Sequence, residues 1–279
     1  MKFGVHTSIA GGIDQAVVRA AKLDCGTFQI FSTNPRGWKA KEISDKEAQS
    51  FKDALAKYNL ETVVVHTPYL INLASPKEHI YKKSIIALIA GIKRADQIGA
   101  KYMVLHPGSH TGAGIEQGIE NIAKGLLEVI AKSKPAVNIL LENVAGAGTA
   151  IGRNIEELER IIKQTNNHNN LGICYDTCHG FAAGYDIRQK EEVDRLLEEI
   201  DCRIGLDRLG VIHANDSIGD LGSNKDRHHH IGEGQIGLAG FRNLVNHPKL
   251  KDKAFILETP VDEQKNDQDN LATIKSLVE

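Results

Sequence analysis

The sequence has few cysteines and no long apolar run. Its four cysteines, Cys25, Cys174, Cys178 and Cys202, are too few in 279 residues to form a disulfide framework. Its apolar runs stay short of the roughly 18 residues that a membrane-spanning helix needs. It opens into a strand-like segment, Phe3–His6, without the apolar stretch of a signal peptide. These absences predict a cytoplasmic protein that does not enter a membrane.

The charge balance gives no sign of a particular partner. The formal net charge is -2, so no general excess of basic residues indicates a nucleic-acid ligand. Hydrophobic residues make up 41% and charged residues 25% of the chain, as in ordinary globular proteins. The length allows one large barrel or two smaller domains, and no linker or low-complexity tract divides the sequence. Composition alone therefore leaves the fold open.

Short runs rich in apolar and β-branched residues recur along the whole chain and predict strands. Some of them, such as Val63–Val65, are continuously apolar rather than alternating, which is typical of parallel strands buried on both faces. The predicted strands are Lys2–His6, Thr27–Ser32, Thr62–His66, Tyr102–His106, Val137–Glu142, Leu171–Asp176, Leu209–His213 and Ala254–Glu258.

Helix signals occupy the segments between these strands. Ser44 and Glu47 have the spacing of a capping box, and so do Ser75 and Glu78, with Pro76 at the expected first helical position. The second box predicts a helix that runs through Ile98. Further helices are predicted after a cap at Asn154, over Ile155–Lys163, and at the end of the chain, over Asp267–Val278.

The regular alternation of strands and helices predicts a single (β/α)₈ TIM barrel spanning residues 1–279. A strand, its crossover helix and two loops take about 30 residues, which matches the spacing of the predicted strands. A doubly wound sheet is the structural alternative. Gly232–Gly237 matches the dinucleotide pattern G-x-G-x-x-G, but it follows a histidine run instead of a first strand, and there is no Walker A sequence.

Metal-ligand residue types stand where the predicted strands end. In a barrel the carboxyl ends of the strands converge on one mouth, where active sites are built. A single histidine there is more often structural, but a whole series of buried polar ends is costly unless something pairs them. The pattern therefore predicts a metal centre. Its candidate ligands at consecutive strand ends are His66, His106, Glu142, Asp176, His213 and Glu258.

Three more candidate ligands follow the sixth and seventh strands. His179 lies just past Asp176, on the loop that the strand pattern predicts there. Asp226 and His228 are two residues apart, so they share one side of an extended segment. The histidines around His228 alone would be typical of a solvated polar loop. Beside the strand-end ligands, this trio predicts a further ion.

Imidazole and carboxylate ligands favour zinc or manganese over magnesium or calcium. Glu142 and Glu258 are placed to bridge two ions, and we assign them catalytic roles for that reason. Two bridged ions can activate water and stabilise in-line displacement at phosphorus. A third ion would neutralise more phosphate charge, which favours a phosphodiester substrate. A nucleophilic Cys178 is the alternative chemistry.

Several segments, taken in order along the chain, resemble the motifs of the endonuclease IV family. The two segments DTCH and DRHH are highly specific in combination, and the resemblance covers essentially the whole sequence. The matching segments are His6 with Ser8–Gly12 (SIAGG), His66–Leu73 (HTPYLINL), Leu105–His110 (LHPGSH), Leu141–Asn143 (LEN), Asp176–His179 (DTCH), Phe181–Asp186 (FAAGYD), Asp226–His229 (DRHH) and Ile256–Thr259 (ILET).

The resemblance implies a trinuclear zinc enzyme of DNA repair. Such an enzyme hydrolyses the phosphodiester bond 5′ to an abasic site in double-stranded DNA, leaving a 3′-hydroxyl and a 5′-deoxyribose phosphate. It would act as a monomer without a protein partner. By matched position, one zinc ion would bind His66, His106 and Glu142; Glu142 would bridge to a second, bound by Asp176, His213 and Glu258; the third would bind His179, Asp226 and His228.

The resemblance also implies residues that probe the opened duplex. These are Arg36, in the loop with Trp38 after the second strand, and the neighbouring Tyr69 and Leu70 after the third. An abasic site must leave the base stack, and apolar or aromatic side chains fill the gap that it leaves. From the residues alone, Tyr69 and Leu70 are as well explained by loop packing.

Other functions of a ligand-rich barrel mouth stay open. A metal-dependent sugar isomerase or epimerase on a related barrel explains the strand-end ligands but gives no role to His179, Asp226 and His228. An amidohydrolase usually has His-x-His at the end of the first strand, and this sequence has His6-Thr7-Ser8. A metal-binding scaffold would explain the ligands but not their placement at one mouth.

Metal analysis of the purified chain tests these alternatives. We predict about three tightly bound ions per chain, because the candidate ligands form three sets of the size that zinc sites use. The measurement is elemental analysis after dialysis against metal-free buffer. One ion per chain, or none, would contradict the prediction.

Overall fold

Parallel strands form an eight-stranded barrel in the computed structural model, which describes residues 1–279 apart from the side chain of Thr62. Each neighbouring pair within the sheet is parallel, as βαβ connections require. The barrel strands are β1 (Lys2–Val5), β2 (Thr27–Phe31), β3 (Thr62–His66), β4 (Tyr102–Leu105), β5 (Asn138–Glu142), β6 (Leu171–Asp176), β7 (Leu209–His213) and β8 (Ala254–Leu257).

The barrel closes between β1 and β2. β1 pairs with β8 on its other side, and the remaining strands follow in sequence order from β8 back to β2. At the seam, His6 and Gln29 form a parallel bridge. Two backbone hydrogen bonds support it, from Gly26 N to Phe3 O at 2.8 Å and from Thr7 N to Gln29 O at 2.7 Å. The predicted TIM barrel is confirmed.

The predicted strands are confirmed, with their ends shifted by one residue in several cases. β3, β6 and β7 have the predicted bounds, and β5 begins one residue later than predicted, at Asn138. In the other four strands the last predicted residue lies directly after the end of the strand. These residues are His6, Ser32, His106 and Glu258.

The crossover helices pack on the outside of the barrel. In the described part of the chain, no helix is both long and apolar enough to cross a membrane. The helices are α1 (Asp14–Lys22), α2 (Asp45–Tyr58), α3 (Glu78–Ile98), α4 (Ile115–Ser133), α5 (Ile155–Gln164), α6 (Thr177–Ala183), α7 (Lys190–Arg203), α8 (Gly237–Val245) and α9 (Asp267–Lys275).

Two of the three predicted helix caps are confirmed. The capping box of Ser44 and Glu47 is confirmed, and Asn154 caps α5 as predicted. The box at Ser75 is wrong, because the Ser75 hydroxyl accepts a hydrogen bond from Lys77 N at 3.1 Å within a turn. α3 therefore begins only at Glu78. The closing helix is shorter than predicted and ends at Lys275.

Two apolar layers hold the barrel together. The outer layer lies between the strands and the helices and contains most of the buried side chains. The inner layer fills the barrel interior, as expected for a TIM barrel, which is a packed core and not a pore. Its buried members, one from each of β3 to β8, are Val64, Val104, Leu140, Cys174, Val211 and Ile256.

Gly4 allows β1 and β2 to approach closely at the seam. A Cβ atom at Gly4 would lie 1.8 Å from the backbone oxygen of Thr27, whereas a Cβ at nearby Gly26 would meet no atom closer than 3.6 Å. A side chain at Gly4 must therefore push the two strands apart, while one at Gly26 fits the existing space.

We predict that Gly4→Ala lowers the free energy of unfolding by about 1–3 kcal/mol, the usual cost of overpacking. The matched Gly26→Ala variant should change it by less than about 0.5 kcal/mol. Urea unfolding followed by circular dichroism measures both. Equal effects of the two variants would contradict the close approach at Gly4.

Candidate metal centre

Strand alternation places the candidate ligands directly above the inner apolar layer. Side chains two residues apart on a strand point to the same side. In or directly after each of the six strands from β3 to β8, a candidate ligand follows an inner-layer residue at that spacing. Val64 and His66 on β3 and Leu140 and Glu142 on β5 are examples. The apolar layer thus forms the floor of the mouth, and the ligands stand on it.

The first group consists of His66, His106 and Glu142, whose donor atoms all lie within 4.8 Å of one another. Nε2 of His66 and Nε2 of His106 are each 3.1 Å from Oε2 of Glu142. Nδ1 of His66 lies 2.8 Å from the backbone oxygen of Thr67. A proton on Nδ1 satisfies that oxygen and leaves the Nε2 lone pair to a metal ion.

The second group consists of Glu142, Asp176, His213 and Glu258, again with donor atoms within 4.8 Å. Nδ1 of His213 is 3.1 Å from Oε1 of Glu142 and 3.4 Å from Oε2 of Glu258. Asp176 is slightly farther, with Oδ2 at 3.9 Å from the same nitrogen. Glu142 belongs to both groups and offers a different oxygen to each, which is the arrangement that a bridging carboxylate needs.

The third group consists of His179, Asp226 and His228. Nε2 of His179 is 3.3 Å from Oδ2 of Asp226, and Nε2 of His228 is 3.5 Å from Oδ1. The placement of His179 on a loop is wrong. It lies in the first turn of α6, and its backbone N–H donates to the side chain of Asp176, which caps the helix at 2.8 Å. One carboxylate thus both starts α6 and faces the second group.

The donor atoms fit metal ions. Nε2 of His228 is buried and has no hydrogen-bond partner among the described residues, while its Nδ1 lies 3.0 Å from Glu258 O. Glu142 and Asp176 are fully buried, and in the described part of the chain neither carboxylate meets a lysine or arginine. Buried charges without such partners call for a cation.

The charges within the cluster shift its pKa values in opposite directions. Burial raises the pKa of Glu142, but the charges of His213 and His106 outweigh it and hold that pKa well below its usual range. Burial lowers the pKa of His179, but Asp176 and Asp226 raise it well above the usual value for histidine. Glu142 is therefore ionised and can bind a cation, and an ion that binds His179 must displace a proton from its imidazole.

Two other residue sets near the mouth fit metal ions less well. Cys178 Sγ lies within 4.8 Å of donor atoms of Asp176 and His228, but burial raises the pKa of its thiol to about 12. A thiol is a poor ligand and a poor nucleophile. His229, His230 and Glu233 also approach one another. There, Asn270 Nδ2 lies 3.0 Å from Nδ1 of His230, and Nε2 faces Asp262 at 3.1 Å, so both ring nitrogens are already used.

Buried amides that the sequence analysis did not single out hold the ligands in place. Asn143 pairs with the backbone of Asp176, accepting from its N–H at 2.7 Å and donating to its oxygen at 3.0 Å. Asn215 donates to Oδ2 of Asp176 at 2.6 Å and accepts from Glu258 N at 2.7 Å. Both follow a candidate ligand within two residues, and that spacing is the signal that could have identified them.

The candidate DNA-contacting residues lie at the rim of the mouth. Tyr69 is 63% exposed, and its ring packs edge-on against Phe31 and His106 at 5.3 Å and 6.5 Å between centroids. Leu70 is half-buried and Arg36 is exposed. The loop that carries Arg36 leaves β2 at Ser32, whose backbone oxygen accepts a hydrogen bond from the buried Arg94 guanidinium. This hydrogen bond fixes the start of the loop that carries Arg36.

The glycine-rich segment Gly232–Gly237 surrounds a carboxylate of the protein itself. Asp216 is fully buried and accepts backbone hydrogen bonds from Gly232, Gly234 and Ile236 at 2.9–3.0 Å. A Cβ atom at Gly234 would lie 2.4 Å from this carboxylate. The segment therefore has the N–H cluster of an anion site, but Asp216 already fills it, which argues against a dinucleotide site.

Asp216 also belongs to the framework of the third group. With Ser217 it forms a two-residue strand that pairs antiparallel with His228 and His229. The glycine-rich segment fixes Asp216, and the strand pair then fixes His228.

A barrel with overlapping His, Asp and Glu groups at its mouth defines a metal-site TIM barrel, and the comparisons agree with this class. A family model described as xylose isomerase-like TIM barrel matches residues 17–277. A solved D-tagatose 3-epimerase-like protein has a TM-score of 0.74 at 22% identity, with 99% of this chain and 95% of that chain covered. At that identity the likeness shows the shared fold alone.

More similar proteins identify the family. "Probable endonuclease 4" of Halothermothrix orenii is 51% identical over 260 residues, which cover 93% of this chain and 94% of that protein. The crystal structure of endonuclease IV from Thermus thermophilus has a TM-score of 0.87 at 35% identity, with 99% and 98% of the two chains covered. The chain belongs to the endonuclease IV family.

We predict that Asp216→Asn lowers the free energy of unfolding by about 2–3 kcal/mol, because an amide nitrogen would face backbone N–H groups that now meet a carboxylate. The same variant should weaken metal binding at the third group, because the strand pair that contains Asp216 holds His228. Asp220→Asn, the same change at an exposed position nearby, is the control and should have little effect. Denaturant unfolding and metal analysis measure both. Equal stability of the two variants would contradict this role of Asp216.

Proposed function

We propose that this chain is a DNA-repair endonuclease, a zinc-dependent phosphodiester hydrolase that cleaves 5′ to abasic sites. The observation that carries the proposal is the sharing of Glu142 between the first and second groups, with the third group beside them. Membership of the endonuclease IV family supports it. We propose that residues 1–279 form a single catalytic domain that acts as a monomer on double-stranded DNA.

The nine ligand side chains would hold three zinc ions, one in each group. When bound, these ions would activate water for attack on phosphorus and neutralise charge on the phosphate. Glu142 and Glu258 are the proposed catalytic carboxylates, since Glu142 belongs to two groups and Glu258 lies beside His213 in the second. The products would be a 3′-hydroxyl and a 5′-deoxyribose phosphate.

The rim residues would select the lesion. An abasic nucleotide costs least to turn out of the stack, because it lacks a base to unstack. Tyr69 and Leu70 would enter the gap that it leaves, and Arg36 would contact the duplex at the same rim. Tyr69 is suited to this role because its ring is exposed but is held from below by Phe31 and His106. A side chain held in this way loses little entropy on binding.

The sugar isomerase or epimerase alternative rests on the shared fold and on the first two groups. It gives no function to the third group, whose residues come from α6 and from the segment after β7. The third group fits a substrate that carries phosphate charge. We therefore place the nuclease function first.

A duplex with one synthetic abasic site tests the function directly. We predict that the zinc-loaded protein nicks this duplex 5′ to the lesion and leaves the undamaged duplex intact. Gel electrophoresis with a labelled strand gives the position of the nick and the nature of its ends. A zinc-loaded protein that does not nick the duplex would overturn the proposal and favour the epimerase alternative.

Substitutions at the mouth test the residues. We predict that His106→Ala and Glu142→Ala lower the nicking rate by about 100-fold or more, since each removes a ligand. His79→Ala removes an exposed histidine on α3 and serves as the control for His106→Ala. Cys178→Ala should retain nicking, whereas loss of nicking in that variant would favour the nucleophilic cysteine.

A further inference from the structure

A buried amide on β2, Gln29, joins two ligands of the second group. Gln29 is fully buried, and it faces the barrel interior because its neighbours Phe28 and Ile30 belong to the outer apolar layer. Its Nε2 donates to Oε1 of Glu258 at 2.6 Å, and its Oε1 lies 2.8 Å from Nε2 of His213. Nδ1 of His6, at 3.0 Å, is within reach of the second amide hydrogen.

The chemistry of these partners permits one orientation of the amide. An ionised carboxylate only accepts hydrogen bonds, so the NH₂ group of Gln29 must face Glu258. Its carbonyl oxygen then faces Nε2 of His213, which must carry the ring proton. In the neutral imidazole that binds an ion, this is the only ring proton, and Nδ1 of His213 therefore offers its lone pair to the ion. That nitrogen is the one that points to Glu142, Asp176 and Glu258.

We propose that Gln29 is a positioning residue that sets the tautomer of His213 and the rotation of the Glu258 carboxylate in the second group. This inference rests on the proposed function, because it assumes an ion in that group. With one side chain bonded to both ligands, the distance between Nδ1 of His213 and Oε2 of Glu258 is fixed before an ion arrives. Partners of this kind contribute about 10–100-fold to metal affinity or activity.

Gln29→Met separates this role from simple packing. Methionine has a similar length and fills the same space, but its sulfur accepts only weakly from His213 and it cannot donate to Glu258. Ile30→Val is the matched control, because it changes a buried side chain on the same strand that faces the helices instead of the mouth. Circular dichroism and thermal unfolding show whether both variants fold.

Zinc release into an excess of chelator is the main measurement. We expect one of about three ions to leave Gln29→Met about 10–100-fold faster than it leaves the wild-type chain, with the other two less affected. Ile30→Val should release zinc at the wild-type rate. Unchanged release from a folded Gln29→Met would overturn the inference and leave the proposed function intact. A wild-type chain that takes up no zinc would overturn both.

The tautomer of His213 gives a second readout that needs no variant. In the zinc-loaded wild-type protein with ¹⁵N-labelled histidine, nuclear magnetic resonance should show His213 protonated at Nε2 and protected from exchange with solvent. If Gln29→Met does not fold, this signal still tests the tautomer that the contact with Gln29 requires. A His213 ring protonated at Nδ1 in the wild-type protein would overturn the inference.

Discussion

Four imidazoles from different segments of the chain surround the buried carboxylate of Glu142. The nitrogens of His66, His106, His179 and His213 lie 3.1–3.3 Å from its oxygens. A carboxylate without water is costly unless charges or hydrogen bonds compensate it. This single group therefore constrains β3, β4, the start of α6 and β7 at once, because a shift in any of them would leave it less well compensated. The barrel supplies the required precision, since its floor of interlocked apolar side chains fixes the height at which each ligand stands.

Much of the fold and the placement of the ligands could be predicted because both depend on short-range patterns. A buried apolar residue two positions before a His, Asp or Glu is visible in the sequence, as in Val211 and His213. The position of the ligands at one mouth then follows from the topology of parallel strands. The partners of Gln29 could not be predicted in this way, because they lie 184 and 229 residues away in the sequence. No local periodicity encodes a hydrogen bond across the inside of a barrel.

Local sequence patterns are also insufficient where a group has two possible hydrogen-bond partners. Ser44 and Ser75 have the same box spacing, yet only Ser44 receives the N–H of the residue three positions later. Ser75 instead closes a turn onto Lys77, because the chain there is still part of the loop that follows β3. The glycine pattern after β7, which the sequence analysis did not take for a dinucleotide site, shows a related limit. It predicts a cluster of backbone N–H groups, but a pattern of glycines carries no information about which anion, Asp216 or a phosphate, they meet.

The seam of the barrel has less backbone pairing than the strands beside it. β1 pairs with β8 over four residues, whereas β1 and β2 meet at the bridge between His6 and Gln29 and through the bond from Gly26 to Phe3. Gln29 reaches from this seam to His213 on β7 and to Glu258 directly after β8. Hydrogen bonds between side chains in the mouth thus connect the seam to the rest of the barrel wall. Binding of metal ions in the mouth would consequently protect β1 and β2. Hydrogen exchange and proteolysis at these two strands would therefore show whether ions are bound.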